Sequence, residues 1–425
     1  MFIHVVQRGD SLWRLGQRFG VTAAAIASAN GIPVDGALVP GQSLIIPLQA
    51  DHHIVAQGEN LWSIANRYGT TPETIARLNG ITYPFYIYPG QRLRLPVLTK
   101  PTIEVNAYTE KFDEAGQQLV IEIGDLLTYL SPFSYHVAID GSLSGPNDGP
   151  ILQTARAQRI MPMMVLSNFK GGTFDSDIAH AVLTNMAVQN RLIDTTLDTM
   201  RQKGYRALNV DFEYIPQTDR EAYNEFLRRL KARLAPAGYL LSTCLAPKSS
   251  SEQKGRLYEA HDYPAHGAIV DFVILMTYEW GWSGGPPRAV APIDEVEKVV
   301  RYALSVMPAS KIMVGMPLYG YDWTLPYVQG NKWAPTLSNP EAVRRAARYG
   351  AEIRFDGPSQ SPFFRYYDNN GVQHEVWFED ARSVQAKFNL VKALHLRGVS
   401  YWVLGTPFRQ NWMLLGSNFN VAKLV

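Results

Sequence analysis

From residue 102 onward the chain alternates short β-rich apolar runs with amphipathic helical stretches, and that alternation limits the architectures open to it. The strand candidates are TIEVNAY (102–108), SYHVAID (134–140), RIMPMMVLS (159–167), ALNVDFEY (207–214), YLLSTCLAP (239–247), DFVILMTY (271–278), KIMVGMPLY (311–319) and GVSYWVLG (398–405). The clearest helix between them is TDREAYNEFLRRLKARLAPAGY (218–239), with Thr218 or Asp219 as cap and apolar residues at helical spacing. Eight such βα units predict an α/β chain whose residues 102–425 close into a (β/α)8 TIM barrel. The stretch 323–397 exceeds one helix and predicts a small α+β insertion between strands seven and eight, at about 323–380. Within it, FRYYDNNGVQHEVWFED reads as a hairpin around Asn369-Asn370-Gly371.

The fourth candidate carries the chemistry. Side chains alternate across a strand, so Asn209, Asp211 and Glu213 project from one face and Leu208, Val210 and Phe212 from the other. Same-face neighbours lie roughly 6.6 to 7 Å apart, close enough for Asp211 to influence the ionisation of Glu213. A carboxylate that raises its neighbour's pKa keeps a general acid protonated near neutral pH. Barrel enzymes place their sites at the carboxyl ends of the strands, where Asp211 and Glu213 fall. A polar inward face there is costly unless it serves the mouth. Arg206, earlier on the same strand, is expected deep in the barrel beside a buried carboxylate. Other strand ends bring Tyr108, Asn168, Met276, Tyr278, Glu279, Tyr319 and Trp402 to the same mouth. Aromatics at such positions suit a sugar ring, with its apolar C–H faces and polar edges.

The N-terminal part is a repeat. Residues 3–47 recur as 52–96, offset by 49 positions without a gap, which marks two copies of one folding unit. Each copy reads strand, helix, helix, strand, with Asp10 or Ser11 capping the first helix and Thr22 the second. The strand–GDSLW–helix start, the ANGI turn and the PGQ–strand–P ending resemble LysM modules, over 2–48 and 51–97. The resemblance implies binding of N-acetylglucosamine polymers, peptidoglycan or chitin, in a groove between two loops. Those loops map to Gly9, Asp10, Ser11, Leu12, Asn30, Gly31 and Ile32, and to Gly58, Glu59, Asn60, Leu61, Asn79, Gly80 and Ile81. Trp13 and Trp62 fall on the apolar side of a helix and read as core. Short linkers are expected near 48–51 and 97–102, and removal of 1–96 is expected to weaken wall attachment while sparing activity on soluble fragments.

Composition excludes several classes. A net charge of +2 without a basic run argues against nucleic acid. The most apolar stretches, IMPMMVL and FVILM, fall far short of the roughly 18 residues of a membrane span. The N-terminus MFIHVVQRGD shows no secretory signal pattern. Cys244, the single cysteine, cannot form an internal disulfide and reads as a buried, inert thiol. The nine histidines are scattered without metal-ligand spacing, so neither metal nor cofactor is expected.

The ensemble resembles glycoside hydrolase family 18, the chitinase-like barrels. The last Asp and Glu of that family's Asp-x-x-Asp-x-Asp-x-Glu motif match Asp211 and Glu213, while Arg206 and Asn209 replace the two earlier aspartates. Its Met-x-Tyr-Asp matches Met276 and Tyr278, with Glu279 in place of Asp, and its eighth-strand Trp maps to Trp402. With paired LysM modules, the chain looks most like the spore-cortex-lytic N-acetylglucosaminidases of endospore-forming bacteria. The resemblance implies substrate-assisted hydrolysis. Glu213 acts as acid and then base, Asp211 orients the acetamido group, Tyr278 donates to it, and Asn209 holds Asp211. Trp402, Met276, Tyr108, Asn168 and Tyr319 would contact sugar, and Glu279 would either contact sugar hydroxyls or partner a cation. It further implies a monomer at the spore coat and cortex with peptidoglycan as partner. A chitinase, or a sugar-binding coat protein without activity, are the alternatives.

Overall fold

Apolar runs this short satisfy their backbone groups only by pairing with one another. In the computed structural model, which describes all residues except 49, 50, 98, 331 and 406, they do so in chain order. The barrel strands are Thr102–Thr109, Tyr129–Pro132, Met161–Ser167, Ala207–Asp211, Leu240–Leu245, Phe272–Leu275, Ile312–Pro317 and Gly398–Leu404. Each runs parallel to the next, and the eighth pairs with the first from Gly398↔Glu104 to Tyr401↔Ala107, closing a (β/α)8 barrel.

Two cores follow from the alternation of side chains. Leu208, Val210 and Phe212 point outward into the layer between strands and helices. Tyr129, Met163, Ala207, Phe272, Ile274 and Met313 fill the lumen. The long helix Arg220–Leu234 buries Tyr223, Phe226, Leu227 and Leu230, and the rings of Phe226 and Tyr223 stack on Phe212 at 5.9 and 6.1 Å.

Three expectations are corrected. The second barrel strand is Tyr129–Pro132, whereas Tyr135–Val137 pairs at the margin with the third strand. Two β-prone runs stand side by side in YLSPFSYHV, and the first completes the ring. Arg206 is exposed, because its parity on the strand points it away from the lumen at the amino-terminal end. Trp13 and Trp62 are 67% and 70% exposed, since Leu12, Leu15 and Phe19 already form the buried stripe of the first helix and Leu61, Ile64 and Ala65 that of its counterpart.

Between strands seven and eight lies a five-stranded antiparallel sheet, in the order Thr336–Ser338, Tyr319–Thr324, Gln373–Trp377, Ser361–Tyr367, Arg354–Asp356. Helix Asn339–Arg348 packs on it through Ala342 and Ala346. The hairpin around Asn369-Asn370-Gly371 is closed by Asp368, which accepts from the backbone N–H of Asn370 and Val372.

Each N-terminal module has the expected strand–helix–helix–strand order. Phe2–Val5 pairs with Ser43–Ile46 and His52–Ile54 with Arg92–Arg94, both antiparallel. Ser11 and Thr22 cap the two helices of the first module. The linkers expected near 48–51 and 97–102 fall partly on residues 49, 50 and 98, outside the described residues. Among the described residues, no helix is long and apolar enough to cross a membrane.

Candidate active site

Strand four ends at Asp211, and the next residues are held from several sides. His261 Nδ1 accepts the Ala246 N–H at 2.8 Å, so its Nε2–H donates to the Phe212 carbonyl at 3.0 Å. Burial lowers the His261 pKa to about 4, which keeps the ring neutral in this role. Asn168 spends both ends of its amide on Glu213: Oδ1 accepts the Glu213 N–H at 3.0 Å and Nδ2 donates to the Glu213 carbonyl at 2.9 Å. A second Nδ2 bond reaches the Asp175 carbonyl at 3.0 Å, and Ser176 Oγ donates to the Tyr214 carbonyl at 2.7 Å. Tyr214 adopts a left-handed φ of +54°, which turns the chain away behind Glu213. The Glu213 backbone is thereby fixed before any ligand arrives.

Above this segment opens a cavity of 690 Å³ at the carboxyl ends of the strands. Asp211, Glu213, Tyr108, Met276, Tyr278, Glu279, Tyr319 and Trp402 all line it, so these expected residues converge. Trp402 is half-buried, with Phe133 edge-on at 4.8 Å and Tyr108 at 5.5 Å. Glu279 Oε1 accepts from the hydroxyls of Tyr319 and, at 2.9 Å, Tyr321, which ties it to the insertion side of the cavity. No cation pairs with it among the described residues.

Asn168 and Asn209 lie behind the wall instead. Both are fully buried, and both Nδ2 hydrogens of Asn168 are spent on backbone carbonyls. Asn209 does not bond Asp211: its Oδ1 accepts from Tyr108 Oη at 2.9 Å and from Cys244 Sγ at 3.3 Å, and its Nδ2 donates to Ser242 Oγ at 2.9 Å. The two same-face residues stand too far apart along the strand for direct contact, and lumen neighbours take their place.

Burial pushes the Asp211 carboxyl up to about 7, an effect the nearby Cys244 thiol partly offsets. Asp211 Oδ1 has no hydrogen-bond partner among the described residues. Burial, then the charge of Asp211, then that of Glu279 lift Glu213 well above the carboxylate range. The charge of Asp211 thus favours the protonated form of Glu213. Burial also raises Tyr278, so its hydroxyl stays a donor. Among the described lining residues none is basic, while Glu110, Asp211, Glu213 and Glu279 are acidic. Such a field favours positive charge developing on a bound ligand.

Sequence reasoning missed Phe133, Phe174 and Leu318, and did not place Cys244 at the site. Phe133 directly follows the true second strand and was hidden by the choice of the later run. Phe174 sits in a two-stranded hairpin, Phe169–Lys170 with Thr173–Phe174, too short to show a period.

In the modules, Leu12 and Leu61 are buried core, so only their backbone can meet a ligand. Asp10 Oδ2 accepts from the Gln7 N–H and His4 Nε2 at 2.8 and 2.7 Å, and Glu59 Oε2 does the same with Ala56 and His53 at 2.8 and 2.6 Å. These carboxylates brace their loop. Asn30 and Asn79 clamp the closing strand of their module through both amide ends.

Comparison with known proteins places this geometry. Residues 134–406 match glycosyl hydrolases family 18, and residues 4–47 and 53–96 each match the LysM domain. The chain belongs to glycosyl hydrolases family 18. It is 51% identical to the cortical fragment-lytic enzyme of Bacillus subtilis strain 168, over 100% of this chain and 99% of that protein. It is 50% identical to the protein of the same name from Bacillus cereus, over 99% of each. The crystal structure of the spore cortex-lytic enzyme SleL of Bacillus megaterium QM B1551 superposes with a TM-score of 0.89 at 41% identity, covering 100% of this chain and 99% of that one. The family-18 barrel makes this chain a glycoside hydrolase, and both it and the modules are built for carbohydrate polymers.

Proposed function

We propose that this chain hydrolyses spore-cortex peptidoglycan, cleaving β-1,4 bonds after N-acetylglucosamine while its LysM modules hold it to the polymer. The observation that carries the reading is the convergence of Asp211, Glu213, Tyr278 and Trp402 on one acidic, aromatic cavity, where burial and the charge of Asp211 raise Glu213. The names of full-length relatives supply the cortex as substrate.

Asp211 and Glu213, at the end of one strand, stand on the same side of a bound sugar rather than flanking it. Family 18 meets this with the substrate's own 2-acetamido oxygen. Glu213 protonates the glycosidic oxygen as that acetamido oxygen closes on the anomeric carbon. The resulting oxazolinium ion is cationic and meets the charge of Asp211, which also accepts the acetamido N–H. Tyr278 donates its hydroxyl to the acetamido oxygen and aligns it. Glu213, now a carboxylate, takes a proton from water as it opens the ring, so the β configuration is retained. Holding the attacking atom in place supplies an effective molarity on the order of 10⁵ M or more. Trp402 provides the face on which the reacting ring lies, and Glu279, Tyr108, Met276 and Tyr319 line the remaining wall.

The test is Glu213→Gln on purified cortex. The amide cannot deliver a proton, so release of reducing ends should fall by a factor on the order of 10³ or more while sedimentation with cortex is unchanged. Turnover near that of the parent protein would refute the assignment. Chitin oligomers assayed in parallel distinguish a chitinase.

A further inference from the structure

Residues 33–40 and 82–89 occupy equivalent places in the two repeats, yet they read PVDGALVP and TYPFYIYP. In the first module, Val39 is 4% exposed and packs with Leu337, Ile353 and Phe364 in the core of the insertion. Ala29 and Ile45 join the main core of the barrel. Polar contacts seal the seam. Ile353 N–H donates to the Pro40 carbonyl and Arg382 Nη2 to the Gly41 carbonyl, each at 3.0 Å, while Gln410 Nε2 reaches both Asn30 Oδ1 and the Ser43 carbonyl at 2.8 Å. A Cβ on Gly41 would lie 1.8 Å from the Ile353 oxygen, so the approach tolerates no side chain. The Asn30–Ile32 loop faces the catalytic body across a cavity of only 110 Å³. That space is far smaller than the 690 Å³ of the cavity at the barrel mouth.

The second module has the opposite character. Its counterpart of Val39 is Tyr88, 69% exposed, and Tyr83 and Tyr86 beside it are 85% and 72% exposed. Among the described residues, nothing lies within 4 Å of a Cβ placed on Gly58, Gly80 or Gly90. Among the described residues, no hydrogen bond or ion pair joins 51–97 to the barrel or its insertion. Three large rings left in water on one loop mark a contact surface. Their flat faces suit the C–H faces of pyranose rings.

We propose that the two copies have divided roles. The first is a fixed part of the catalytic body. The second carries the polymer, on a face formed by Tyr83, Tyr86 and Tyr88 beside the Gly58–Leu61 and Asn79–Ile81 loops. The occupant is a chain of N-acetylated pyranoses, so the proposal rests on the anchoring reading above and assigns it to one module. Avidity then comes from coupling this one site to the catalytic cleft rather than from two equal modules.

Sedimentation of the full-length Glu213→Gln protein with increasing amounts of purified cortex tests this. Adding Tyr83→Ala, Tyr86→Ala and Tyr88→Ala together should raise the half-saturating amount of cortex by about tenfold or more. The same triple change in the active enzyme should leave turnover of soluble fragments unaltered. Tyr83→Ala alone, at the most exposed ring, gives a smaller shift in the same direction and serves if the triple variant fails to fold. Gln410→Ala, at the seam of the first module, should lower the melting temperature and leave half-saturation within about twofold. Undiminished binding of the tyrosine variants, or an equal loss in Gln410→Ala, would overturn the division of roles while anchoring stands. A parent protein that does not sediment at all would overturn both.

Discussion

Asn168→Ala isolates positioning from binding. The side chain makes three hydrogen bonds, at 2.9, 3.0 and 3.0 Å, two of them to the backbone of Glu213 and one to Asp175. At about 1 kcal/mol net for each, and roughly 1 to 3 more for the Glu213 N–H left without a partner, the change costs about 4 to 6 kcal/mol at most. If water enters the gap, the cost falls towards the lower part of that range. The catalytic effect has a separate origin. A shift of about 1 Å in a reacting group costs on the order of 10²-fold in rate. Among the described residues, no other side chain hydrogen-bonds the Glu213 backbone. Steady-state kinetics on soluble cortex fragments, at a temperature well below the melting point of the variant, should show kcat down about 10²-fold with KM changed by less than about threefold. Loss confined to KM would return Asn168 to the role of a sugar contact. A kcat within about threefold of the parent would show that the clamp does not set the acid's position.

Other expectations follow from the same contacts. Asn209→Asp places a second carboxyl in the lumen near Asp211 and should move the acidic limb of the kcat/KM profile to higher pH, because like charge raises Asp211 further. An unmoved acidic limb would show that the two positions do not interact. Truncation of residues 1–96 exposes the surface on which Val39, Ala29 and Ile45 pack, and calorimetry should show a melting temperature lower by several degrees; an unchanged value would mean that the seam contributes nothing. His266 is buried with neither ring nitrogen partnered among the described residues, and burial lowers its pKa to about 3. The unfolded chain protonates this ring below pH of about 6.5, so the parent loses stability as pH falls while a phenylalanine does not. His266→Phe should therefore gain about 2 kcal/mol on the parent between pH 7.5 and pH 5 in denaturant titrations, and a flat difference would contradict the assignment.

How much was legible depended on whether a local pattern decided each feature. The 49-residue offset, the capping Ser11 and Thr22, and the Asn369-Asn370-Gly371 hairpin are properties of short segments, and the structure shows the matching elements. Asp211, Glu213, Tyr278 and Trp402 converge because parallel strands of a barrel carry their carboxyl ends to one rim. Strand two was misplaced because two β-prone runs adjoin and only ring closure selects between them. The Asn168 clamp and the Asn209–Tyr108–Cys244 cluster join residues 45, 101 and 35 positions apart, and no periodicity reports such partners. Trp13 and Trp62 read as core because they fall beside the apolar side of a helix, yet one position beyond the buried stripe turns a side chain by about 100° into solvent. The unequal burial of the two modules was unreadable for a related reason: it is decided by the barrel surface each one meets.

The central claim is acid catalysis by Glu213 on a sugar that provides its own nucleophile. Proton magnetic resonance of purified cortex during the first moments of digestion, before mutarotation, reads the configuration of the new reducing end. The account predicts N-acetylglucosamine released as the β anomer. Release of the α anomer would contradict it.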